Sequence, residues 1–281
     1  MNILITGSTG FIGKNLLEDI EDNKKNLKNK FLFLNKNSKI KKKKNFYQIY
    51  DDISLRDESL NKIEKFKPDI ILHMAWEKIP DYSEKNSLNN LKKQKIFFRK
   101  VSNIKSIKKI IITGSCSENS KKSYFTSLFF SSAKKKLKKF VKRICLKKKI
   151  EFLWIKIFFV FGKFQKKDSL INYIFISKKK NKKIRLNKPN LILDFIYVKH
   201  VSNYIIKNLN LKKIRIIEKD IGSGYGTKIQ DIHDFIYAKK RKIKKFYNSF
   251  RAKKLPLDFK SKISIERDLR DFASLMGYKI K

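Results

Sequence analysis

The stretch that decides the fold is residues 2–20, NILITGSTGFIGKNLLEDI. Its first five residues are an apolar run of the length of a short buried strand. Gly7, Gly10 and Gly13 follow at a spacing of three, and apolar residues then recur at helical spacing. The stretch therefore predicts a strand, a tight glycine turn and a helix, in which backbone N–H groups at the helix N-terminus can face a pyrophosphate.

Strand and helix patterns alternate beyond this first unit. The predicted strands read KFLFLN, KNFYQIYDDI, PDIILHMAW, KKIIITGSCSE and IEFLWIKIFFVFG, and amphipathic helical segments separate most of them. Strands that alternate with helices indicate an α/β fold with a parallel sheet. We predict a Rossmann-type, doubly wound parallel sheet. The regular alternation of strands and helices ends after Gly162, and we predict a smaller C-terminal lobe there.

The charge of the chain is extreme, with 70 Lys and Arg against 25 Asp and Glu in 281 residues, a formal net charge of +45. The lysines run through the whole chain beside many Asn, Ile and Phe, and all four residue types have A/T-rich codons. An AT-rich genome therefore explains the composition, and a selected polyanion-binding role is the alternative. With either origin we expect salt-sensitive binding to polyanions.

The remaining composition excludes several protein classes. Cys116 and Cys145 are too few for a disulfide framework, and no metal-ligand spacing is present, so we predict no metal site. No apolar run approaches the roughly 18 residues of a membrane-spanning helix. The N-terminus leads directly into a strand, so we expect no signal peptide and a cytoplasmic protein.

Seven short motifs resemble, in chain order, those of the extended short-chain dehydrogenase/reductase family. They are GSTGFIG (7–13), DI (52–53), LHMAW (72–76), TGSCSE (113–118), IKIFFVFG (155–162), LDFIYVKHV (193–201) and DIGSGYGTKIQDI (220–232). HMAWEKIPDYS, TGSCSE and FFVFGKFQKKDSLI most resemble its NAD-dependent epimerase/dehydratase members that reduce or epimerise nucleotide sugars. The resemblance covers most of the chain.

The resemblance implies a domain organisation. Residues 1–165 would form the nicotinamide dinucleotide-binding Rossmann domain, with residues 191–222 returning to it. Residues 166–190 and 223–281 would form a small substrate-binding lobe over the carboxyl edge of the sheet, where open α/β sheets bind their ligands.

The resemblance also implies a cofactor site. Its residues would be Gly7, Gly10, Phe11, Ile12, Gly13, Asn35, Asp52, Ile53, Ala75 and Lys134. Asp52 and Ile53 match the pair that contacts adenine, and Ala75 matches the loop beside the nicotinamide ribose. Asn35 ends the second strand, where an acid commonly binds the ribose of NAD. Asparagine is not an acid, so this position does not select NAD, and both NAD and NADP stay open as cofactors.

The implied catalytic residues are Ser115, Lys134 and Phe130. The segment SLFFSSAK (127–134) matches the family's Tyr-x-x-x-Lys, with Phe130 at the position of the tyrosine. Phenylalanine cannot donate or remove a proton, and general acid–base catalysis typically contributes about 10²–10⁴ in rate. Tyr124 or a water molecule held by Ser115 is a substitute that the sequence leaves open.

From the resemblance we expect an NAD(P)-dependent oxidoreductase or epimerase that acts on a 4-keto-6-deoxy or related nucleoside diphosphate hexose of surface-polysaccharide synthesis. A catalytically impaired, cofactor-binding paralogue is the first alternative. A polyanion- or nucleic-acid-binding protein on the same fold is the second. The expected partner is a nucleotide sugar, with no specific nucleic acid, and a homodimer stays open.

Overall fold

The structure is a computed structural model. It describes residues 1–22, 28–36, 40, 43–119, 126–211, 215–247, 251–256, 259, 263–278 and 280. Within these ranges, no helix combines the length and apolarity needed to cross a bilayer.

The strands among the described residues fall into three sheets. In chain order they are β1 (Asn2–Thr6), β2 (Lys30–Asn35), β3 (Phe46–Tyr50), β4 (Ile70–His73), β5 (Lys109–Ser115), β6 (Glu151–Ile157), β7 (Phe159–Phe161), β8 (Ile192–Leu193), β9 (Phe195–Tyr197), β10 (Ile216–Ile221) and β11 (Thr227–Lys228). β8 pairs with β11 and β7 pairs with β9, and the other seven strands form the main sheet.

Helices connect these strands. In chain order they are α1 (Phe11–Asp22), α2 (Asp57–Phe66), α3 (Glu84–Val101), α4 (Leu128–Lys148), α5 (Leu170–Lys179), α6 (Val198–Lys207), α7 (Ile229–Ile236) and α8 (Ile265–Leu275). A 3₁₀ turn, Cys116–Asn119, directly follows β5.

The seven-stranded sheet confirms the predicted doubly wound architecture. Its order is β10-β6-β5-β4-β1-β2-β3, and the neighbouring pairs from β5 to β3 are parallel. The chain therefore starts in the middle, winds outward through β2 and β3, and then crosses to β4 on the other side of β1. Ligands of such sheets bind at this switch point, beyond the carboxyl ends of the central strands.

The chain divides into two units. One contains residues 1–156 and 203–218, and the other contains residues 157–202 and 219–281. The predicted roles of residues 1–165 with 191–222, and of 166–190 with 223–281, stay predictions.

The core of the first unit lies on the main sheet. β1 is central, and Ile3, Leu4 and Ile5 are fully buried, which a strand covered on both faces requires. Phe97 and Phe98 of α3 and Trp154 of β6 are fully buried in the same unit. A large apolar core thus fixes the strand ends on which the predicted site residues lie.

The second unit has its own aromatic core. The Phe272 ring of α8 lies 6.0 Å from the Phe161 ring and 5.4 Å from the Phe175 ring, measured between centroids. The Tyr197 ring of β9 packs against Phe161 at 5.4 Å. Aromatic pairs at these separations stabilise a core beyond the area that they bury.

The predicted single strand in residues 150–162 is wrong. The chain breaks at Phe158, so that β6 stays in the main sheet while β7 pairs with β9 in another sheet. The Phe158 N–H donates to the Ile221 carbonyl, and the next N–H, of Phe159, donates to the Asp194 carbonyl, both at 3.0 Å. The apolar run is continuous across the break because β6 is buried along its length and β7 is buried or half-buried.

Candidate functional site

The glycine turn packs directly on the loop that follows β4. Gly7 has a backbone φ of +77°, and a Cβ atom there would lie 2.6 Å from the Ala75 nitrogen. A Cβ atom on Gly13 would lie 2.6 Å from the Ser8 Cα atom. Gly7 and Gly13 therefore have to be glycine for the turn to close. The structure brings this turn and Ala75 together at the switch point of the sheet.

The turn opens α1 as predicted. The Gly10 N–H donates to the Gly7 carbonyl at 3.2 Å, and the Lys14 N–H donates to the Gly10 carbonyl at 2.9 Å. Phe11 and Ile12 form the first positions of α1, and both are half-buried. First-turn N–H groups of a helix have no intrahelical acceptor, so this end of α1 can receive an anion.

Asn35 offers an unused hydrogen-bond donor beside the turn. Its side chain is buried, and its Oδ1 accepts a hydrogen bond from the Ser8 hydroxyl at 2.7 Å. Its Nδ2 has no hydrogen-bond partner among the described residues. A buried amide without a partner is costly, and a ligand hydroxyl would satisfy it. The glycine cradle and this donor together fit a dinucleotide.

Asp52 lies in a cluster of four charged residues. Its Oδ2 atom is 2.8 Å from the Lys93 Nζ and 3.1 Å from the Lys36 Nζ, and both lysines also contact Glu77. Burial alone raises the pKa of Asp52, but hydrogen bonds from Lys93, Ser54 and Lys36 outweigh it and hold the pKa well below its usual range. The carboxylate is therefore ionised. Ile53 beside it is buried.

His73 is a core histidine rather than an acid. It ends β4, where the Thr6 hydroxyl lies 3.0 Å from its Nδ1 and the Gln94 Oε1 lies 3.1 Å from its Nε2. Burial lowers the pKa of His73 to about 3, so the ring is neutral. The Gln94 Nε2 donates in turn to the Ala75 carbonyl at 3.3 Å, which holds the loop against α3.

Lys134 is buried at the carboxyl end of β5. Its Nζ donates to the Thr113 carbonyl at 3.2 Å and lies 4.2 Å from the centroid of the Trp76 ring. Burial lowers the pKa of Lys134 to about 8, and the negative charge of Glu118 partly opposes this shift. A lysine with this pKa is still mainly protonated at neutral pH, and it can act as a cation inside the site.

Phe130 lies one helical turn before Lys134 and is 4% exposed. Its ring meets the Trp76 ring edge-on at 5.1 Å and the Tyr82 ring at 4.9 Å, and the Lys134 Nζ is 5.9 Å from its centroid. The Ser127 hydroxyl caps α4 by accepting from the Phe130 N–H at 3.1 Å. The structure therefore brings Phe130 and Lys134 together, as the sequence predicts.

Ser115 ends β5, and its hydroxyl lies 2.9 Å from the Ser117 hydroxyl. The fully buried Glu118 fixes this strand end, because its Oε1 accepts from the Ser115 N–H at 2.8 Å and from the Trp154 Nε1 at 3.1 Å. Its Oε2 lies 3.3 Å from the Lys138 Nζ. Tyr124, the predicted substitute for the missing tyrosine, lies outside the described residues.

Sequence reasoning missed four residues that the structure adds to the site. They are Trp76 beneath the Lys134 ammonium, Tyr82 against Phe130, Lys93 on Asp52, and Glu118 behind Ser115. Trp76, Tyr82 and Glu118 lie in the loops that follow β4 and β5. Their position after predicted strands was a usable signal, because the carboxyl ends of neighbouring parallel strands meet at one sheet edge, where ligands bind. Lys93, one of many lysines, carried no such signal.

Solved structures of similar fold cover almost the whole chain. UDP-glucose 4-epimerase from Thermotoga maritima, solved with UDP-glucose, has a TM-score of 0.76 at 16% identity, over 99% of each chain. dTDP-glucose 4,6-dehydratase from Bacillus anthracis, solved with NAD, has a TM-score of 0.75 at 17% identity, over 99% of this chain and 96% of that one. At these identities the likeness shows the fold.

A third similar structure carries a substitution of interest. It is a tyrosine-to-phenylalanine variant of UDP-glucuronic acid 4-epimerase from Bacillus cereus, solved with UDP-4-deoxy-4-fluoro-glucuronic acid and NAD. Its TM-score is 0.73 at 19% identity, over 98% of this chain and all of that one. No curated protein matches the sequence.

The family follows from the sequence itself. A sequence model of one protein family matches residues 3–216, more than two thirds of the chain, and spans the glycine turn, Asp52, Ser115 and Lys134. The chain belongs to the NAD dependent epimerase/dehydratase family.

Proposed function

We propose that this protein binds NAD or NADP at the N-terminal glycine turn and acts on a 4-keto-6-deoxy or related nucleoside diphosphate hexose, as an oxidoreductase or epimerase. One observation carries the proposal. A buried lysine, Lys134, points at the end of β5, in the same unit as a glycine cradle that a side chain would fill. Nucleotide sugars and NAD are the ligands with which the similar structures were solved.

The residues that would hold the dinucleotide divide by role. Gly7, Gly10 and Gly13, with the start of α1 at Phe11 and Ile12, would receive the pyrophosphate. The unpartnered Asn35 amide would donate to the adenosine ribose. Asp52 and Ile53 would contact adenine, and Ala75 and Lys134 would lie by the nicotinamide ribose. The cofactor supplies hydride transfer when bound.

Lys134 and Ser115 would act on the sugar. The Lys134 ammonium is a buried cation, and its electrostatic effect is larger there than in water. It would favour negative charge that develops on a reacting oxygen and would hold the cofactor ribose. The Ser115 hydroxyl would orient the reacting hydroxyl or carbonyl of the sugar. Both side chains can do this without the missing phenol.

Phe130 limits the chemistry. It occupies the tyrosine position and offers no proton, so the rate should fall by about 10²–10⁴, roughly 3–5 kcal/mol of barrier. This observation supports a second candidate function, a catalytically impaired paralogue that binds cofactor and nucleotide sugar. The tyrosine-to-phenylalanine variant of the similar epimerase was solved with both of its ligands, which supports binding without that side chain's hydroxyl.

The test is to restore the phenol. Isothermal calorimetry should show binding of NAD or NADP to the wild-type protein. Turnover of dTDP-4-keto-6-deoxyglucose with the reduced cofactor should be slow. Phe130→Tyr should raise the turnover rate by about 10²-fold or more, because the ring site is already aromatic and Lys134 is in place.

Three results would change the proposal. Failure of both dinucleotides to bind would contradict it altogether. Binding of cofactor and sugar without any gain in Phe130→Tyr would favour the impaired paralogue. A wild-type turnover number on the order of 1–10³ per second would show that the loss at Phe130 is compensated.

A further inference from the structure

One phenol lies against the ring that replaces the family's tyrosine. The Tyr82 and Phe130 rings meet at 61° with centroids 4.9 Å apart, and the Trp76 ring meets Phe130 at 80° with centroids 5.1 Å apart. Within the described part of the chain, Tyr82 is the only tyrosine in ring contact with Phe130. The Lys134 ammonium lies over the Trp76 ring of the same cluster. Tyr82 is therefore next to the place where a proton donor is missing.

The backbone holds Tyr82 in this place from both sides. The Ser127 hydroxyl, at the start of α4, donates to the Tyr82 carbonyl. The Asn86 side-chain amide of α3 donates to the Asp81 carbonyl at 2.7 Å. Ser83, the next residue, caps α3 by accepting from the Asn86 N–H at 3.3 Å. The loop is thus tied to both helices that carry the site.

The phenol is also in the protonation state that a donor needs. Burial raises the pKa of Tyr82, and the neighbouring Cys116 thiol raises it further. The side chain is therefore a neutral phenol through the physiological range.

We propose that the Tyr82 phenol supplies the proton for the turnover that remains in this protein with Phe130 at the tyrosine position. The proposal rests on the proposed function and deepens it, because a neutral phenol favours reduction of a keto sugar. A reduced nicotinamide dinucleotide held at the glycine turn would supply hydride to the carbonyl carbon of the sugar, and the carbonyl π electrons would move to oxygen. That oxygen takes the Tyr82 proton, which leaves an alcohol and a phenolate, and water then reprotonates the phenolate.

The test separates binding from turnover. Tyr82→Phe should lower kcat for dTDP-4-keto-6-deoxyglucose by about 10²-fold, while the calorimetric affinity for the dinucleotide stays unchanged. The lost hydrogen bond should weaken binding of the keto sugar about fivefold to tenfold. The matching 4,6-dideoxy sugar nucleotide has no oxygen at that carbon, so its affinity should not change.

Two further variants complete the test. Tyr47→Phe removes a phenol that is 43% exposed on β3, and it should change none of these quantities. Tyr82→Phe combined with Phe130→Tyr should keep the rate of Phe130→Tyr alone, because the restored phenol replaces Tyr82. A merely structural role of Tyr82 predicts instead that the double variant loses this rate.

The failures can be told apart. A wild-type protein that binds neither dinucleotide contradicts the proposed function, and the role of Tyr82 falls with it. A protein that binds both ligands but shows no turnover overturns the role of Tyr82 alone. Equal keto-sugar affinity and equal kcat in wild type and Tyr82→Phe overturn it as well.

Discussion

The three glycines of the N-terminal turn differ in what a side chain would meet. A Cβ atom on Gly13 would lie 2.6 Å from the Ser8 Cα atom, which cannot move without the turn. A Cβ atom on Gly10 would have the Gly7 carbonyl oxygen at 3.4 Å as its nearest neighbour, an ordinary contact. A side chain at Gly10 is thus compatible with folding, although it would fill the approach to the backbone.

We therefore expect Gly10→Val to impair dinucleotide binding and Gly13→Val to impair stability. Gly10→Val should keep the unfolding free energy within about 1 kcal/mol and lose dinucleotide binding. Gly13→Val should lose about 1–3 kcal/mol or more, because the turn is overpacked. Urea denaturation and calorimetry measure the two quantities. Unchanged NAD and NADP affinity in Gly10→Val would place the cofactor site elsewhere.

At the residue scale, the sequence predicted the residues that match a family motif with a known role. It missed the residues whose role depends on a contact formed in the folded chain. Gly7, Ser115 and Lys134 belong to spaced patterns, so a single sequence reveals them. Tyr82 and Glu118 lie inside the quoted stretches HMAWEKIPDYS and TGSCSE, but the resemblance gives neither of them a role. Their contacts with Phe130 and Ser115 depend on how the loops after β4 and β5 close, and residue type alone does not encode that closure.

At the scale of elements, the sequence predicted the strand–helix alternation well, because burial on both faces gives apolar strands. One of the helical segments between the predicted strands, DESLNKIEKF, is α2 (Asp57–Phe66) in the structure. The switch of sheets at Phe158 was missed, because an apolar run shows that a strand is buried and not which neighbour it pairs with.

Asp194, between β8 and β9, holds three segments of the second unit together. Its Oδ1 accepts from the Ser223 N–H at 2.5 Å and from the Ser223 hydroxyl at 2.8 Å. Its Oδ2 accepts from the N–H groups of Gly224 at 3.0 Å and Ala252 at 2.8 Å. The side chain is fully buried, so these four hydrogen bonds replace water.

Asp194→Asn should therefore destabilise the protein strongly. The amide has one oxygen, so in either orientation at least one backbone N–H faces its NH₂ group: the Ser223 N–H in one, and the Gly224 and Ala252 N–H groups in the other. Each buried donor without an acceptor costs about 1–3 kcal/mol, so we expect a loss of at least about 1–3 kcal/mol in urea denaturation. Asp271→Asn, on the exposed face of α8, is the matched control and should change the unfolding free energy by less than about 0.5 kcal/mol. Equal stability of the two variants would contradict this role of Asp194.

At the scale of the whole molecule, the charge exceeds what ion pairs can neutralise. With 70 basic and 25 acidic residues, one-to-one pairing leaves 45 cations. Lysine also enters the interior: the side chain of Lys109 is 1% exposed and pairs with Glu151 at 3.0 Å. Lysines in the core as well as on the surface are what genome-wide composition produces. A selected polyanion-binding surface requires lysines only on the surface.

If genome-wide composition is the source of the lysines, binding of the protein to nucleic acid should be non-specific and sensitive to salt. Contacts between dispersed lysines and phosphates are sequence-independent, and each contact releases counterions. If six or more phosphates are neutralised, affinity for a short DNA duplex should fall by about 10³-fold or more between 50 and 200 mM salt. Fluorescence anisotropy with two duplexes of unrelated sequence measures both properties, and the two should give the same affinity at each salt concentration. Nanomolar binding of one duplex at physiological salt, with weak binding of the other, would instead support a selected nucleic-acid site on this fold.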